Sequence, residues 1–143
     1  MLQDALLYVG SRAGDPEVVT ALERMQCCSE AVCVLDLESV WTLLSEGQTA
    51  LPSLMILDVS TGDQAVASFM QRLNANGQYK QIPIVLFGDP ADRQSVADYF
   101  GEGIASYMVR PDTIDEYLNI LKAIDAYWTL SLLPNRSVTL LQR

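Results

Sequence analysis

Histidine is absent from all 143 residues, which removes histidine-based general-base or nucleophilic catalysis and leaves no imidazole for a zinc site. Basic side chains are scarce: nine Lys and Arg stand against eighteen Asp and Glu, a net charge of −9 without any basic cluster. Such a surface repels phosphate backbones, so no nucleic-acid partner is expected. Cysteine is limited to Cys27, Cys28 and Cys33, an odd set without metal-ligand spacing that reads as reduced, buried thiols. Long hydrophobic runs are missing as well. Leu54 to Leu57 and Ile82 to Phe87 are strand-sized, and Asp4 stands where a leader would carry basic residues. Together these absences predict a cytoplasmic protein without membrane contact. Internal repeats, low-complexity stretches and linkers are absent too.

What is present is a core. Half of the residues are hydrophobic and 19% are charged, the balance of a packed domain. Residues 1–134 read as one domain, and 135–143 as a C-terminal tail without a helical stripe, expected to be mobile or a docking extension. Five apolar runs, Ala5 to Val9, Ala31 to Leu35, Ser53 to Leu57, Ile82 to Phe87 and Ile104 to Val109, alternate with stretches of helical periodicity. That alternation predicts a parallel sheet covered by helices on both faces, and the nearly unbroken apolarity of the runs predicts buried strands.

The helices follow from caps and spacing. Asp15, Pro16 and Glu17 supply an N-cap, a proline at the first helical position and an acid near the helix start, and Val18, Leu22 and Met25 then share one face. Val66, Phe69, Met70 and Leu73 form the stripe of the third helix, and Val96, Tyr99 and Phe100 that of the fourth; both read as core. The last helix begins near Asp112 and passes Trp128, with Ile114, Tyr117, Leu118, Leu121 and Ile124 inward, and Pro134 limits it.

In such a sheet, reactive groups gather beyond the carboxyl ends of the strands. The residues found there are Gly10 to Gly14, Asp36, Asp58 to Thr61, Gly88 to Pro90, and Arg110 with Pro111. Asp58 stands out because it ends the run Leu54 to Leu57, where a carboxylate is partly desolvated yet open to solvent. Gly88 follows thirty residues later and Arg110 fifty-two residues later, just ahead of Pro111.

The segments Leu54-Met55-Ile56-Leu57-Asp58, Ile82-Pro83-Ile84-Val85-Leu86-Phe87 and Gly103-Ile104-Ala105-Ser106-Tyr107-Met108-Val109-Arg110-Pro111 resemble, in order and spacing, the receiver domain of bacterial response regulators. The resemblance covers roughly residues 5–134. The ending Tyr127-Trp128-Thr129-Leu130, with Leu133-Pro134 beyond, is further similar to single-domain regulators that include those partnered with bacterial phytochromes. It implies a flavodoxin-like, doubly wound α/β fold: a five-stranded parallel sheet in the order 2-1-3-4-5 with five helices. It also implies a part in two-component phosphorelay signalling, with Asp58 the phosphoacceptor, a histidine kinase upstream and an unknown protein partner downstream.

Measured against that family, the supporting residues are depleted. The family places two adjacent acids after strand one to hold Mg²⁺, whereas here Val9 is followed by Gly10 and Ser11. The Mg²⁺ site is therefore expected to be weak, with Asp15, Asp58 and the Ser60 carbonyl its remaining candidate ligands, and no other cofactor is expected. Gly88 lacks the hydroxyl that the family uses to bond the phosphoryl group. Arg110 replaces the family's lysine, and its planar fork is expected to grip Asp58 through two hydrogen bonds. Tyr107 occupies the place of the mobile aromatic and reads as packing rather than switching. The loop Val59 to Asp63 also lacks the family's methionine-proline segment.

The leading reading is a degenerate receiver: a non-enzymatic module that acts through protein contacts and responds weakly or not at all to phosphorylation. A homodimer is expected through the face made by helix four, strand five and helix five, where Tyr99, Tyr127 and Trp128 are either aromatic anchors or core. A second reading is a working receiver in which Asp15 and Arg110 compensate for the missing groups. A third, from another class, is a flavin-binding electron carrier, suggested by a partial likeness of Tyr8 to Glu17 to a flavodoxin phosphate loop. Asp15 would repel the flavin phosphate there, and Pro16 lacks an N–H donor.

Overall fold

The structure, a computed structural model, describes residues 4–47, 51–59 and 64–130. Its strands β1 (Ala5–Gly10), β2 (Glu30–Val34), β3 (Leu54–Asp58), β4 (Ile84–Gly88) and β5 (Ser106–Val109) form one parallel sheet in the order β2-β1-β3-β4-β5. The helices are α1 (Pro16–Glu23), α2 (Leu37–Gly47), α3 (Ala65–Asn74), α4 (Arg93–Gly101) and α5 (Ile114–Leu130). Short 3₁₀ turns occupy Ser11–Gly14 and Tyr79–Gln81. The strand order and the alternation of elements match those expected from sequence, with strand ends displaced by one or two residues. Pro134 and the tail 135–143 lie outside the described residues.

Alternation along the strands sorts side chains into two layers. Leu7, Val9, Met55, Leu57, Ile84 and Leu86 face α2 and α3, which supply Val40, Leu44, Val66, Phe69, Met70 and Leu73. Leu6, Tyr8, Ile56, Val85 and Phe87 face α1 and α5, which supply Val18, Leu22, Tyr117, Leu121, Ile124 and Trp128. Because both faces of the three central strands are covered, every residue of β1, β3 and β4 is buried. The edge strands are different. β2 and β5 are only half-buried, so the expectation of five fully buried strands is corrected: a strand with a neighbour on one side alone loses cover at its open edge.

Local chemistry accounts for the helix starts. The Asp15 carboxylate accepts the Glu17 N–H at 3.1 Å ahead of Pro16, the Asp92 carboxylate accepts the Ser95 N–H at 2.8 Å, and the Thr113 hydroxyl accepts the Glu116 N–H at 3.2 Å to open α5. α4 is followed by Gly103 at φ 102, a left-handed position that suits glycine and lets the chain turn into β5. No side chain of α4 is buried, and Phe100 is 47% exposed, which corrects the reading of its stripe as core. The helix lies against the edge strand β5, where Tyr99 stacks 5.5 Å from Tyr107 and there is little sheet left to cover Phe100. Cysteine needs a smaller correction. None of the three cysteines forms a disulfide, but only Cys27 is fully buried, with Cys28 and Cys33 half-buried.

This packing gives an expected contrast in stability. Leu86→Ala, at the centre of β4, is expected to cost about 2–5 kcal/mol, whereas Phe100→Ala is expected to cost about 1 kcal/mol or less. Urea unfolding followed by circular dichroism measures both, and equal losses would contradict the assignment of core and surface.

Candidate functional site

Strand register brings the site together at the carboxyl edge of the sheet. Asp58, the last residue of β3, sits opposite Gly10 of β1 on one side and Phe87 of β4 on the other. Its carboxylate is not open to solvent as expected: the residue is 5% exposed. Oδ1 accepts the Nε–H of Arg110 at 2.7 Å. Oδ2 accepts the hydroxyls of Tyr8 at 2.7 Å and Tyr117 at 3.0 Å.

Arg110 does bind Asp58, but not with the expected two-bond fork. Only Nε reaches the carboxylate; Nη1 donates to Asp89 Oδ1 at 2.8 Å, and Nη2 donates to the carbonyl oxygens of Val59 at 2.7 Å and Phe87 at 3.0 Å. Strand β4 and the residues that follow β3 and β4 present these acceptors, and the guanidinium's fan of donors divides among them. A lysine ammonium offers its donors from one nitrogen and cannot span this set. Partial burial by itself works against the charge on Arg110, but the hydrogen bond and negative charge of Asp58, helped by Asp89, outweigh it and hold the guanidinium above its usual value.

Two contributors escaped the sequence reading. Tyr8 counted only as part of a strand and as the start of the flavodoxin-like segment, and Tyr117 only as part of the inward stripe of α5. Both are fully buried, and a buried tyrosine hydroxyl requires a polar partner, so a tyrosine inside an apolar run beside a strand-ending acid is the signal that points to them. Burial first, and the Asp58 charge with it, pushes both phenols well above their ordinary value. Arg12 joins this cluster from the turn after β1, with its guanidinium 5.0 Å over the Tyr117 ring and 3.3 Å from Asp15.

The remaining candidates divide clearly. Gly10 is pressed against Asp58: a Cβ there would lie 2.4 Å from the Asp58 carbonyl oxygen and 2.9 Å from its Cβ. No side chain fits at residue 10 unless the backbone shifts. Ser11 is exposed and opens the 3₁₀ turn. Asp15 commits its carboxylate to capping α1 and to Arg12. Gly88 contributes only its carbonyl, which accepts the Arg110 N–H at 2.8 Å. Ser60 and the rest of the segment 60–63 lie outside the described residues. The Tyr107 hydroxyl donates to the Asp89 carbonyl, and its ring stacks on Tyr99, itself half-buried. Trp128 is 8% exposed and belongs to the core, which corrects its candidacy as a surface anchor, whereas Tyr127 is 61% exposed.

Among the described residues, the donor set around Asp58 does not fit Mg²⁺. A hard divalent ion needs several oxygens in octahedral array, and Asp58 offers one carboxylate whose two oxygens already accept a guanidinium and two hydroxyls. Among the described residues, no group of three or more Asp, Glu, His or Cys side chains converges as a metal site.

The fold is that of the response-regulator receiver. The phosphorylated cyanobacterial phytochrome response regulator RcpA superposes with a TM-score of 0.76 at 17% identity, over 92% of this chain and 99% of that one. The Mn²⁺-bound form of the response regulator Rcp1 gives 0.75 at 18% identity, over 92% and 99%. A response regulator from Hahella chejuensis gives 0.70 at 20% identity, over 95% and 100%. No family model and no curated protein matches the sequence. At these identities the likeness establishes the shared architecture.

Two outcomes follow from the geometry. Arg110→Met strands a buried carboxylate without its counter-charge and is expected to cost about 2–4 kcal/mol in urea unfolding, somewhat below the full penalty because the Arg110 side chain is 28% exposed. A loss under about 1 kcal/mol would mean that the pair does not hold the site together. The second concerns alkali. Tyr8 and Tyr117 hold their protons more tightly folded than unfolded, so their contribution to stability is complete below the ordinary value of 10.0 and declines as pH rises above it. Unfolding free energies measured across that range are expected to fall in the wild type and to fall less in the Tyr8→Phe, Tyr117→Phe double variant.

Proposed function

We propose that this chain is a receiver-fold signalling module of the two-component type, which acts through protein contacts rather than catalysis and in which phosphoryl transfer to Asp58 is impaired or absent. One observation carries the reading: both oxygens of Asp58 are engaged, one by Arg110 and the other by Tyr8 and Tyr117, in a pocket that solvent scarcely enters. Phosphoryl transfer depends on a carboxylate oxygen placed in line with phosphorus and on cations that neutralise the charge spreading over the transferred group. Here the attacking oxygens are bonded, and the neighbouring cation is already neutralised by two acids. Arg110 thus stabilises the unmodified carboxylate, the ground state, and raises the barrier.

Contact surface on the β5 side supports a homodimer. Val109 is 51% exposed and lines a shallow groove with Ile120, and Tyr127 follows Ile120 by two turns on the same side of α5. The net charge of −9 argues against a nucleic-acid partner. A cytoplasmic setting is consistent with the described residues, none of whose helices is long and apolar enough to cross a membrane.

Incubation with acetyl phosphate and Mg²⁺, followed by intact mass, is expected to leave the chain unmodified; a stoichiometric phosphoryl adduct on Asp58 would overturn the proposal. Light scattering is expected to give twice the chain mass, falling to the monomer in Tyr127→Glu. A wild-type chain that stays monomeric at every concentration would remove the dimer.

A further inference from the structure

Helices α1 and α5 cover one face of the sheet, and a groove of about 580 Å³ runs between them. Ala21, Met25, Leu118 and Leu121 supply its apolar lining. Charge distinguishes its two ends. Glu17 stands in the first turn of α1, at the carboxyl edge of the sheet, while Arg24 caps the far end of that helix with Lys122 across from it on α5. Asp125 also reaches the Arg24 end, but its Oδ1 turns inward to accept the backbone N–H groups of Gln26 and Cys27, both at 2.8 Å. One end of the groove therefore presents a free acid, and the other presents two bases against one inward-turned acid, a net positive charge.

Both walls are tied to the Asp58 network. Tyr117, whose hydroxyl reaches Asp58 at 3.0 Å, immediately precedes the groove residue Leu118. Arg12, stacked over Tyr117, pairs with Asp15, which caps α1 just before the groove residue Pro16. A shift of Asp58 thus bears on α5 directly and on α1 through Arg12.

We propose that the α1–α5 groove docks one amphipathic helix of a partner protein, antiparallel to α1 and α5, and that Asp58, through Tyr117, sets the position of the α5 wall. The orientation follows from charge. Helices favour acids in the first turn and bases in the last, so such a helix meets Arg24 and Lys122 with its start and Glu17 with its end only when it runs antiparallel. The small side chain of Ala21 leaves room for its backbone to approach. From the preceding reading this takes only that the chain works through protein contacts; it holds whether or not Asp58 accepts phosphate.

The probe is a synthetic helical peptide of about 18 residues, roughly 27 Å long, with leucines at i, i+3, i+4 and i+7, glutamates in its first turn and arginines in its last. Titrated into the ¹⁵N-labelled full chain, it is expected to shift the amides of Thr20, Ala21, Leu118 and Leu121 saturably. The same peptide with its charged ends exchanged is expected to bind about tenfold more weakly, and Ala21→Arg is expected to abolish binding of both. Tyr117→Phe, which keeps the ring and removes the hydroxyl, is expected to change the affinity by about two- to tenfold. Absence of saturable shifts, shifts confined to the Val109 and Tyr127 side, or equal affinity for the two peptides would overturn the docking site. Concentration-dependent shifts of the same amides without peptide would assign the groove to a second copy and overturn the partner helix. An unchanged affinity in Tyr117→Phe would remove the link to Asp58. None of these outcomes depends on phosphoryl chemistry, so they stand apart from the acetyl phosphate result.

Discussion

A carboxylate taken almost wholly out of water is the constraint around which the carboxyl edge of this sheet is organised. Removing Asp58 from solvent costs several kcal/mol unless its charge is matched and its lone pairs are filled. The chain meets both conditions at once: a guanidinium on Oδ1 and two phenolic hydroxyls on Oδ2. The donors come from β1, from the residue just after β5 and from α5, and the other donors of Arg110 are taken by Val59 just after β3, Phe87 within β4 and Asp89 just after it. Displacement of any of these elements leaves a buried charge or a buried polar group unsatisfied. Loops that are ordinarily the most adaptable part of an open sheet are thereby held together through one guanidinium and the two acids it pairs with.

The same arrangement explains why the site has little room. Gly10 brings the β1 backbone so close to Asp58 that a Cβ would collide with it, and Tyr8 fills the layer below with a ring whose hydroxyl rises to the carboxylate. An acid at residue 10 would add a negative charge beside Asp58 as well as the clash. Absence of side chain at that position and presence of phenols beneath it are parts of one solution: the space and the charge balance are complementary to an unmodified carboxylate.

Much of this was legible in the chain, and the remainder was hidden for identifiable reasons. Unbroken apolar runs marked β1, β3 and β4, and a strand-ending acid with an arginine at the end of β5 marked Asp58 and Arg110. The run Ala31 to Leu35 looked equally buried because composition does not say which strand lies at an edge. Tyr8 and Tyr117 were concealed by their surroundings, since a tyrosine among Leu, Val and Ile reads as core until its hydroxyl is asked for a partner. The branching of Arg110 depended on where the Val59 and Phe87 carbonyls and Asp89 come to rest, which no spacing reveals. Trp128 was more accessible to argument: it continues the stripe of Leu121 and Ile124, while Tyr127 falls off it.

A fully satisfied buried network is stiff because its members fail together. With Asp58 bonded on every side, small displacements of Tyr117 lengthen a charge-assisted hydrogen bond in a low-dielectric setting, where such bonds are strong and their loss is costly. The position of α5 is therefore defined by a polar tie as well as by the burial of Leu121, Ile124 and Trp128, and Arg12 extends the constraint to the start of α1. Apolar contacts alone allow neighbouring helices to slide with little change in buried area; a directional hydrogen bond does not. A surface formed by two helices fixed in this way has little ordering of its own to lose when a partner binds, so the cost that remains is the loss of translational and rotational freedom and the ordering of the partner.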